Sequence, residues 1–149
     1  MIGWLRRRMS VTGEDAGSAM VEFVMLVGPL MVPLVLLIVA IFETQRTAFA
    51  AVEAARQGGR AYVTAASPSE GAARAHYAAN LAFVDQGLPP LDREDFSIDP
   101  PGVFCRGASI VVTVRGAASL PMLPRELASF KVTASHTETV DELRNLPAC

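Results

Sequence analysis

An uncharged run, Phe23–Phe42, dominates the pattern of apolar and polar positions along this chain. At a helical rise of about 1.5 Å per residue, twenty residues span about 30 Å, the thickness of a bilayer's hydrocarbon core. The run therefore predicts a transmembrane helix. Glu22 immediately precedes it, and an ionisable side chain at such a position is by default a functional hypothesis. Pro29 and Pro33 lie inside the run and each removes a backbone donor, so we expect a kink or a looser stretch there.

Whether those prolines give a harmless kink or a deformable stretch used in assembly stays open, because membrane helices tolerate both.

Beyond Phe42, the alanine-rich segment Thr44–Val63 contains no proline and keeps a helical period. Its paired small residues within Ala54–Tyr62 favour close approach of another helix or a sheet, although a helix merely weakened by glycine is the alternative. The recurring positions are Phe49, Val52, Ala55 or Arg56, Gly59 and Val63.

A second helix is predicted from about Ser69 to Gln86, after a turn over Thr64–Pro68. Pro68 suits the first helical turn, and the segment Gly87–Pro90 ends the helix. Its apolar stripe is expected to include Ala73, Tyr77, Leu81 and Val84.

The remainder of the chain has strand character. Ser109–Val114 is dense in β-branched residues, and Ser129–Glu138 alternates apolar with polar positions over much of its length. Phe96–Ile98 is a shorter candidate strand, and Ala117–Glu126, with two prolines, is predicted to be a loop. The two longer strands are expected to pair antiparallel and cover a helix, which gives an α+β fold.

Charge placement suggests an orientation in the membrane. The formal net charge of −2 gives no excess of basic residues that would attract nucleic acid. Arg6, Arg7 and Arg8 precede the apolar run, while Glu43 and Arg46 follow it and nearly cancel. The positive-inside rule then places the N-terminal side in the cytoplasm. The organisation predicted is a leader (1–17), a transmembrane helix (18–42) and an extracytoplasmic domain (43–149), in a single-pass protein of the cytoplasmic membrane.

Both cysteines, Cys105 and Cys149, follow the apolar run, and an even count in an oxidising compartment favours a disulfide. The chain-entropy model gives about 4 kcal/mol as an upper figure for closing this loop. A buried Cys105 with a free Cys149 is the alternative.

An ordinary signal peptide fits the N-terminal pattern poorly. The triplet Ala48-Phe49-Ala50 imitates a cleavage site, but the apolar core is longer than a signal peptide uses, and Glu14 and Asp15 precede it. Cleavage after Ala50 would also cut through a continuing helix. A plain signal-anchor keeps the helix but leaves Glu22 unexplained.

No catalytic constellation stands out, and an enzyme is not expected. His76 and His136 are far apart in sequence and lie outside any metal-ligand motif, so both are expected to be surface or partner-satisfied residues. No cofactor, metal or small-molecule substrate is expected. One acidic cluster offers oxygen ligands for calcium but lacks the EF-hand glycine and spacing, and a solvated loop is the preferred interpretation: Asp92, Glu94, Asp95 and Asp99.

The N-terminal segment resembles the TadE-like minor pilin (pseudopilin) family of tight-adherence (Tad/Flp) pilus systems, a branch of the type IV pilus systems. The resemblance is carried by Gly17-Ser18-Ala19-Met20-Val21-Glu22-Phe23, by the proline-containing apolar run, and by Ala55-Arg56-Gln57-Gly58-Gly59-Arg60-Ala61. It covers roughly residues 16–63. The aromatic residue and Glu-x-Gly-Arg type segment that the family has after its membrane helix occur here only loosely, within Phe42–Arg46.

The resemblance implies a pilin-like fold and cleavage between Gly17 and Ser18 by a membrane-embedded prepilin peptidase, which makes Ser18 the first and Glu22 the fifth mature residue. Positions i and i+4 share a helix face, so the new amine of Ser18 and the carboxylate of Glu22 are expected to pair, within one subunit or between neighbours. The implied partners are other minor pilins, the major pilin and the inner-membrane assembly platform. The implied role is assembly, priming or capping of an adhesive pilus.

A second hypothesis remains open. It is an uncleaved single-pass anchor whose outer domain serves binding or acts as part of an assembly platform. The two hypotheses differ in whether residues 1–17 remain on the mature chain.

Overall fold

The computed structural model describes residues 14–119 and 129–149. Within these ranges the chain forms an α+β fold, as predicted, with helices and an antiparallel sheet. Contacts divide the chain into two compact units, with the boundary between Val39 and Ala40. The elements are α1 (Glu14–Val63), α2 (Pro68–Asp85), a short 3₁₀ helix (Arg93–Asp95), β1 (Phe96–Asp99), β2 (Ser109–Ser119) and β3 (Ser129–Thr139).

In the first unit, α1 continues through Pro29 and Pro33 without a break in its helical assignment. Its large apolar side chains are exposed, including Phe23 and Leu26. An 18-residue window of α1 reaches a mean hydropathy of 2.8, and none of it is buried within the protein. A helix long and apolar enough to span a membrane is therefore present, as predicted, while the kink at the prolines stays a prediction.

In the second unit, the part of α1 from Ala40 onward buries a face made almost entirely of small residues. The helical period of this segment is confirmed, but the large apolar positions Phe49 and Val52 are exposed rather than buried. The expectation that paired small residues allow close approach is confirmed. The buried set is Thr47, Ala50, Ala51, Ala54, Ala55, Gly58, Gly59, Tyr62 and Val63.

The second helix lies within one residue of its predicted bounds because both of its ends carry strong local signals. Ser67 is the N-cap, and its hydroxyl accepts a hydrogen bond from the Glu70 backbone N–H at 3.3 Å. The Glu70 carboxylate in turn accepts from the Ala66 N–H at 3.2 Å, in the manner of a capping box. At the other end Gly87, with φ of +70°, ends the helix, and the Leu88 N–H donates to Phe83 O at 3.0 Å.

The predicted apolar stripe of α2 lies on its exposed face and does not form the core. Tyr77 is 70% exposed, and Leu81 and Val84 are 47% and 46% exposed. The face that is buried carries small side chains together with one aromatic ring: Gly71, Ala75, Ala79, Ala82 and Phe83. The sequence pattern favoured the larger apolar side chains, whereas the helix packs through the face that permits the closest approach.

The sheet has the order β1-β2-β3, with both pairs antiparallel. The inward side chains of the central strand, Ile110, Val112 and Val114, are fully buried. The predicted antiparallel pair covering a helix is confirmed, with β1 added at the other edge of β2.

β2 is longer than predicted. The segment Ala117–Ser119, predicted to begin a loop, continues the strand and pairs with Ser129–Lys131. Local propensity is weak in this small-residue segment, so cross-strand pairing decides its conformation. The rest of the predicted loop, residues 120–126, lies outside the described residues.

Gly116 in β2 is the point where the sheet meets both helices. A β-carbon at this position would lie 2.7 Å from Thr47 Cγ2 of α1 and 3.2 Å from Phe83 Cζ of α2. Thr47 cannot easily move away, because it is fully buried and its hydroxyl donates to Glu43 O at 2.9 Å. The helices approach one another with similar closeness, since a β-carbon on Gly71 would lie 3.1 Å from Tyr62 O.

We predict that Gly116→Ala lowers the free energy of unfolding by about 1–3 kcal/mol, because the added methyl overpacks against the Thr47 methyl. Thr47→Ser removes that methyl and retains the hydroxyl, so the double variant is expected to be more stable than the sum of the two single effects predicts. Denaturant unfolding of the full chain in detergent measures all three variants, with Thr47→Ser alone as the control. Strict additivity would contradict the proposed contact.

Candidate functional site

The peptide bond between Gly17 and Ser18 lies within α1, close to Glu14, the first residue that the structure describes. Glycine lowers helix stability by about 1 kcal/mol relative to alanine, so Gly17 is a weak position in this helix. Local unwinding around Gly17 would bring this bond into the extended backbone form that a peptidase needs.

Glu22 follows in the same helix, and its side chain is exposed. Within the part of the chain that the structure describes, its carboxylate forms no ion pair. Ser18 lies four residues earlier, one helical turn away on the same face. An amine created at Ser18 would therefore lie about one helical turn from Glu22.

A second cluster is built around the two cysteines. Cys105 and Cys149 lie at disulfide-bonding distance, with their Cα atoms 5.2 Å apart. The predicted pairing is thus confirmed in its geometry. Backbone contacts run beside it, because the Arg106 N–H donates to Pro147 O at 3.0 Å and the Gly107 N–H donates to Val140 O at 3.1 Å.

Aromatic and cationic side chains connect this bridge to the end of α1. The ring of Tyr62 meets the edge of Phe104 with 5.7 Å between centroids, and the Arg144 guanidinium lies 5.3 Å from the Phe104 centroid. The Tyr62 hydroxyl donates to Val103 O at 3.2 Å. Burial raises the pKa of the Tyr62 phenol, which keeps it protonated and able to donate. We call Tyr62, Phe104, Cys105, Arg144 and Cys149 the C-terminal clamp.

Arg144 also satisfies backbone carbonyls at the end of α1 and in the turn just after it. Its guanidinium donates to Val63 O and, at 2.6 Å, to Ala65 O. Terminal carbonyls of a helix lack intrahelical partners, and a cation there also interacts favourably with the helix dipole. The sequence did not predict this role of Arg144, because the residue lies about eighty positions from its partners and no local motif indicates such a contact.

The two histidines have different surroundings. The His136 ring nitrogen Nε2 lies 2.9 Å from a Glu138 carboxylate oxygen, so this histidine has a partner, as predicted. His76 packs edge-on against Phe96 with 5.6 Å between centroids. Its buried Nε2 has no hydrogen-bond partner among the described residues, so the prediction is wrong for this atom.

The clefts of the second unit are open, and few of the side chains that line them could take part in chemistry. A cleft of about 410 Å³ lies beside His76, Tyr77 and Arg93, and one of about 310 Å³ lies between α1 and α2. Within the described residues no three potential ligands come together around a point that a metal ion would occupy. Of the acidic cluster, Asp95 forms an ion pair of 3.6 Å with Lys131.

Comparisons with known proteins add no relative to this picture. No family model, curated protein or solved structure matches the chain.

We predict that Cys149→Ser lowers the free energy of unfolding by up to about 4 kcal/mol, because the disulfide no longer restricts the unfolded chain. Denaturant unfolding of the oxidised native chain and the variant measures the loss. Reduction is expected to weaken the native chain to a similar extent and to leave the variant unchanged. Labelling of both thiols in the native, unreduced protein would refute the bridge.

Proposed function

We propose that this chain is a minor pilin, or pseudopilin, of a tight-adherence type IV pilus system. The observation that carries the proposal is the order of features along α1. A glycine–serine bond lies within the described helix, a carboxylate without an ion-pair partner among the described residues follows one turn later, and an uncharged run of membrane-spanning length begins immediately after it.

In this proposal, prepilin peptidase cleaves between Gly17 and Ser18. Cleavage removes the cytoplasmic basic leader and creates an ammonium group on Ser18. That group pairs with the Glu22 carboxylate in the same subunit or in a neighbour, and the pairing offsets the cost of a charge at the hydrocarbon edge. Glu22 thereby becomes an assembly residue rather than a misplaced charge.

The second unit supports the proposal through its architecture. The later part of α1 provides a small-residue face on which a second helix and an antiparallel sheet pack, as the resemblance to pilins implies. The C-terminal clamp contains a disulfide, which requires an oxidising compartment. We therefore place this unit outside the cytoplasm, on a single-pass protein of the inner membrane.

The proposed partners are prepilin peptidase, the other minor pilins, the major pilin and the assembly platform in the membrane. The proposed role is to assemble, prime or cap an adhesive pilus. We propose no enzymatic activity for the chain.

We predict that the chain, produced together with a prepilin peptidase and extracted from membranes, begins at Ser18. Intact mass and N-terminal sequencing measure this. Gly17→Val is expected to retain the leader, because a β-branched side chain then stands beside the scissile carbonyl. Gly28→Val is the matched control and should be cleaved normally, since a β-carbon at Gly28 meets nothing within 4 Å in the protein.

A mature chain that still carries residues 1–17 would reject the pilin proposal. The uncleaved anchor, with an outer binding or platform domain, would then be the remaining function.

We further predict that Glu22→Ala is cleaved normally but is lost from sheared pilus fractions, because the Ser18 amine then lacks its carboxylate partner. Glu22→Gln, which keeps the shape without the charge, should fail in the same way. Glu53→Gln removes an acid from α1 outside the apolar run and serves as the control. Normal piliation with Glu22→Ala would contradict the pairing.

A further inference from the structure

The outer face of α2 carries an apolar stripe with no cover among the described residues. We call Ala73, Tyr77, Leu81 and Val84 the outer stripe; its members follow one another at steps of four, four and three residues. Tyr77, Leu81 and Val84 are 70%, 47% and 46% exposed. The opposite face of α2 is the one that packs into the unit. Three large apolar side chains aligned along one exposed helix face mark an interaction surface.

Two opposite charges flank this stripe on the same side. At about 100° per residue, Arg74 and Asp85 differ by only about 20° around the helix axis, and they are separated by about 16 Å along it. Asp85 is exposed and forms no ion pair in the described part of the chain. Arg74 pairs with Glu70 at 2.8 Å in an exposed contact, which contributes little and leaves the guanidinium accessible.

This arrangement is complementary to itself when the helix direction is reversed. We propose that α2 docks antiparallel on α2 of a second copy of this chain, about a two-fold axis that crosses the outer face of the helix at the height of Ala79. Tyr77 of one copy then lies opposite Leu81 of the other, and Arg74 of one faces Asp85 of the other. Because the interface is isologous, each of these contacts occurs twice. In an antiparallel helix pair, side chains on the same flank meet one another, and this is where Arg74 and Asp85 lie.

Charge argues for a second copy over a lipid surface. The charged residues of α2 are Glu70, Arg74 and Asp85, so one cation and two anions give −1 with His76 neutral. Helices that lie on membranes instead carry lysine and arginine along their polar face. The patch is small, and the contact would be weak between free molecules. Confinement of both copies to one membrane by α1 raises their effective concentration.

The pairing does not rest on the pilin proposal, because α2 is the same in the cleaved and the uncleaved chain. A two-fold interface closes on itself and does not propagate into a filament. The inference therefore assigns to this surface a paired form of the membrane-anchored protein, in addition to any contacts made within a fibre.

Cysteine cross-linking of the full chain in membranes tests the geometry. Chains carrying Arg74→Cys and chains carrying Asp85→Cys, distinguished by tags, are expected to form a mixed cross-link under mild oxidation. A mixed pair still retains one Arg74–Asp85 contact. Two Arg74→Cys chains should cross-link poorly, because their thiols would be about 16 Å apart and a disulfide needs Cα atoms within about 7 Å. Preferential cross-linking of like with like would overturn the antiparallel pairing.

Charge reversal tests the specificity, measured as energy transfer between donor- and acceptor-labelled chains in lipid vesicles. Arg74→Asp and Asp85→Arg should each lower the association constant of the dimer about five- to tenfold, since each breaks two symmetric ion pairs. The double reversal should restore it. Arg56→Glu, at an exposed cation on α1, is the matched control and should change nothing. Absence of native energy transfer, or failure of the double reversal to restore it, would reject the proposal.

Discussion

The domain formed by residues 40–149 depends on how closely α1 approaches the elements that cover it. Gly116 brings β2 within van der Waals distance of Thr47 and Phe83, so a strand and two helices meet where there is no side chain on the strand. Gly71 performs the same function between the helices, against Tyr62. Interiors packed at this density transmit small volume changes, and a single methyl group at Gly116 therefore affects three elements at once.

The close approach has a consequence for the surface. When alanine and glycine form the buried faces, the larger apolar side chains of the same helices are left outside. On α2 these are Tyr77, Leu81 and Val84, and on α1 they include Phe49 and Val52. The exposed apolar stripe of α2 and the compact packing beneath it are thus two results of one choice of side chains. A surface of this kind is characteristic of a subunit that has further contacts to make.

Local signals in the sequence predicted some elements well and others badly. The bounds of α2 followed from Pro68 and from Gly87–Pro90, because such signals act within one turn. The buried faces could not be predicted by ranking hydrophobicity, since steric closeness and not apolar area decides which face of α2 turns inward. Ala117–Ser119 belongs to β2 only because β3 pairs with it. The local sequence of this small-residue segment does not indicate that non-local pairing.

The two candidate sites differ in the same way, because one is defined by local sequence spacing and the other by long-range contacts. The spacing of Gly17, Ser18 and Glu22 is visible in the sequence, and the structure adds only that the bond lies within α1. The C-terminal clamp is the reverse case. Counting cysteines predicted its disulfide, but the cation that caps α1 became visible only when the fold brought Arg144 to Val63 and Ala65. The contacts of the clamp and of Gly116 all lie within residues 40–149. Processing at Gly17 would therefore change the charge at the beginning of α1 without disturbing any of them, so a cleaved and an uncleaved chain would present the same folded domain to their partners.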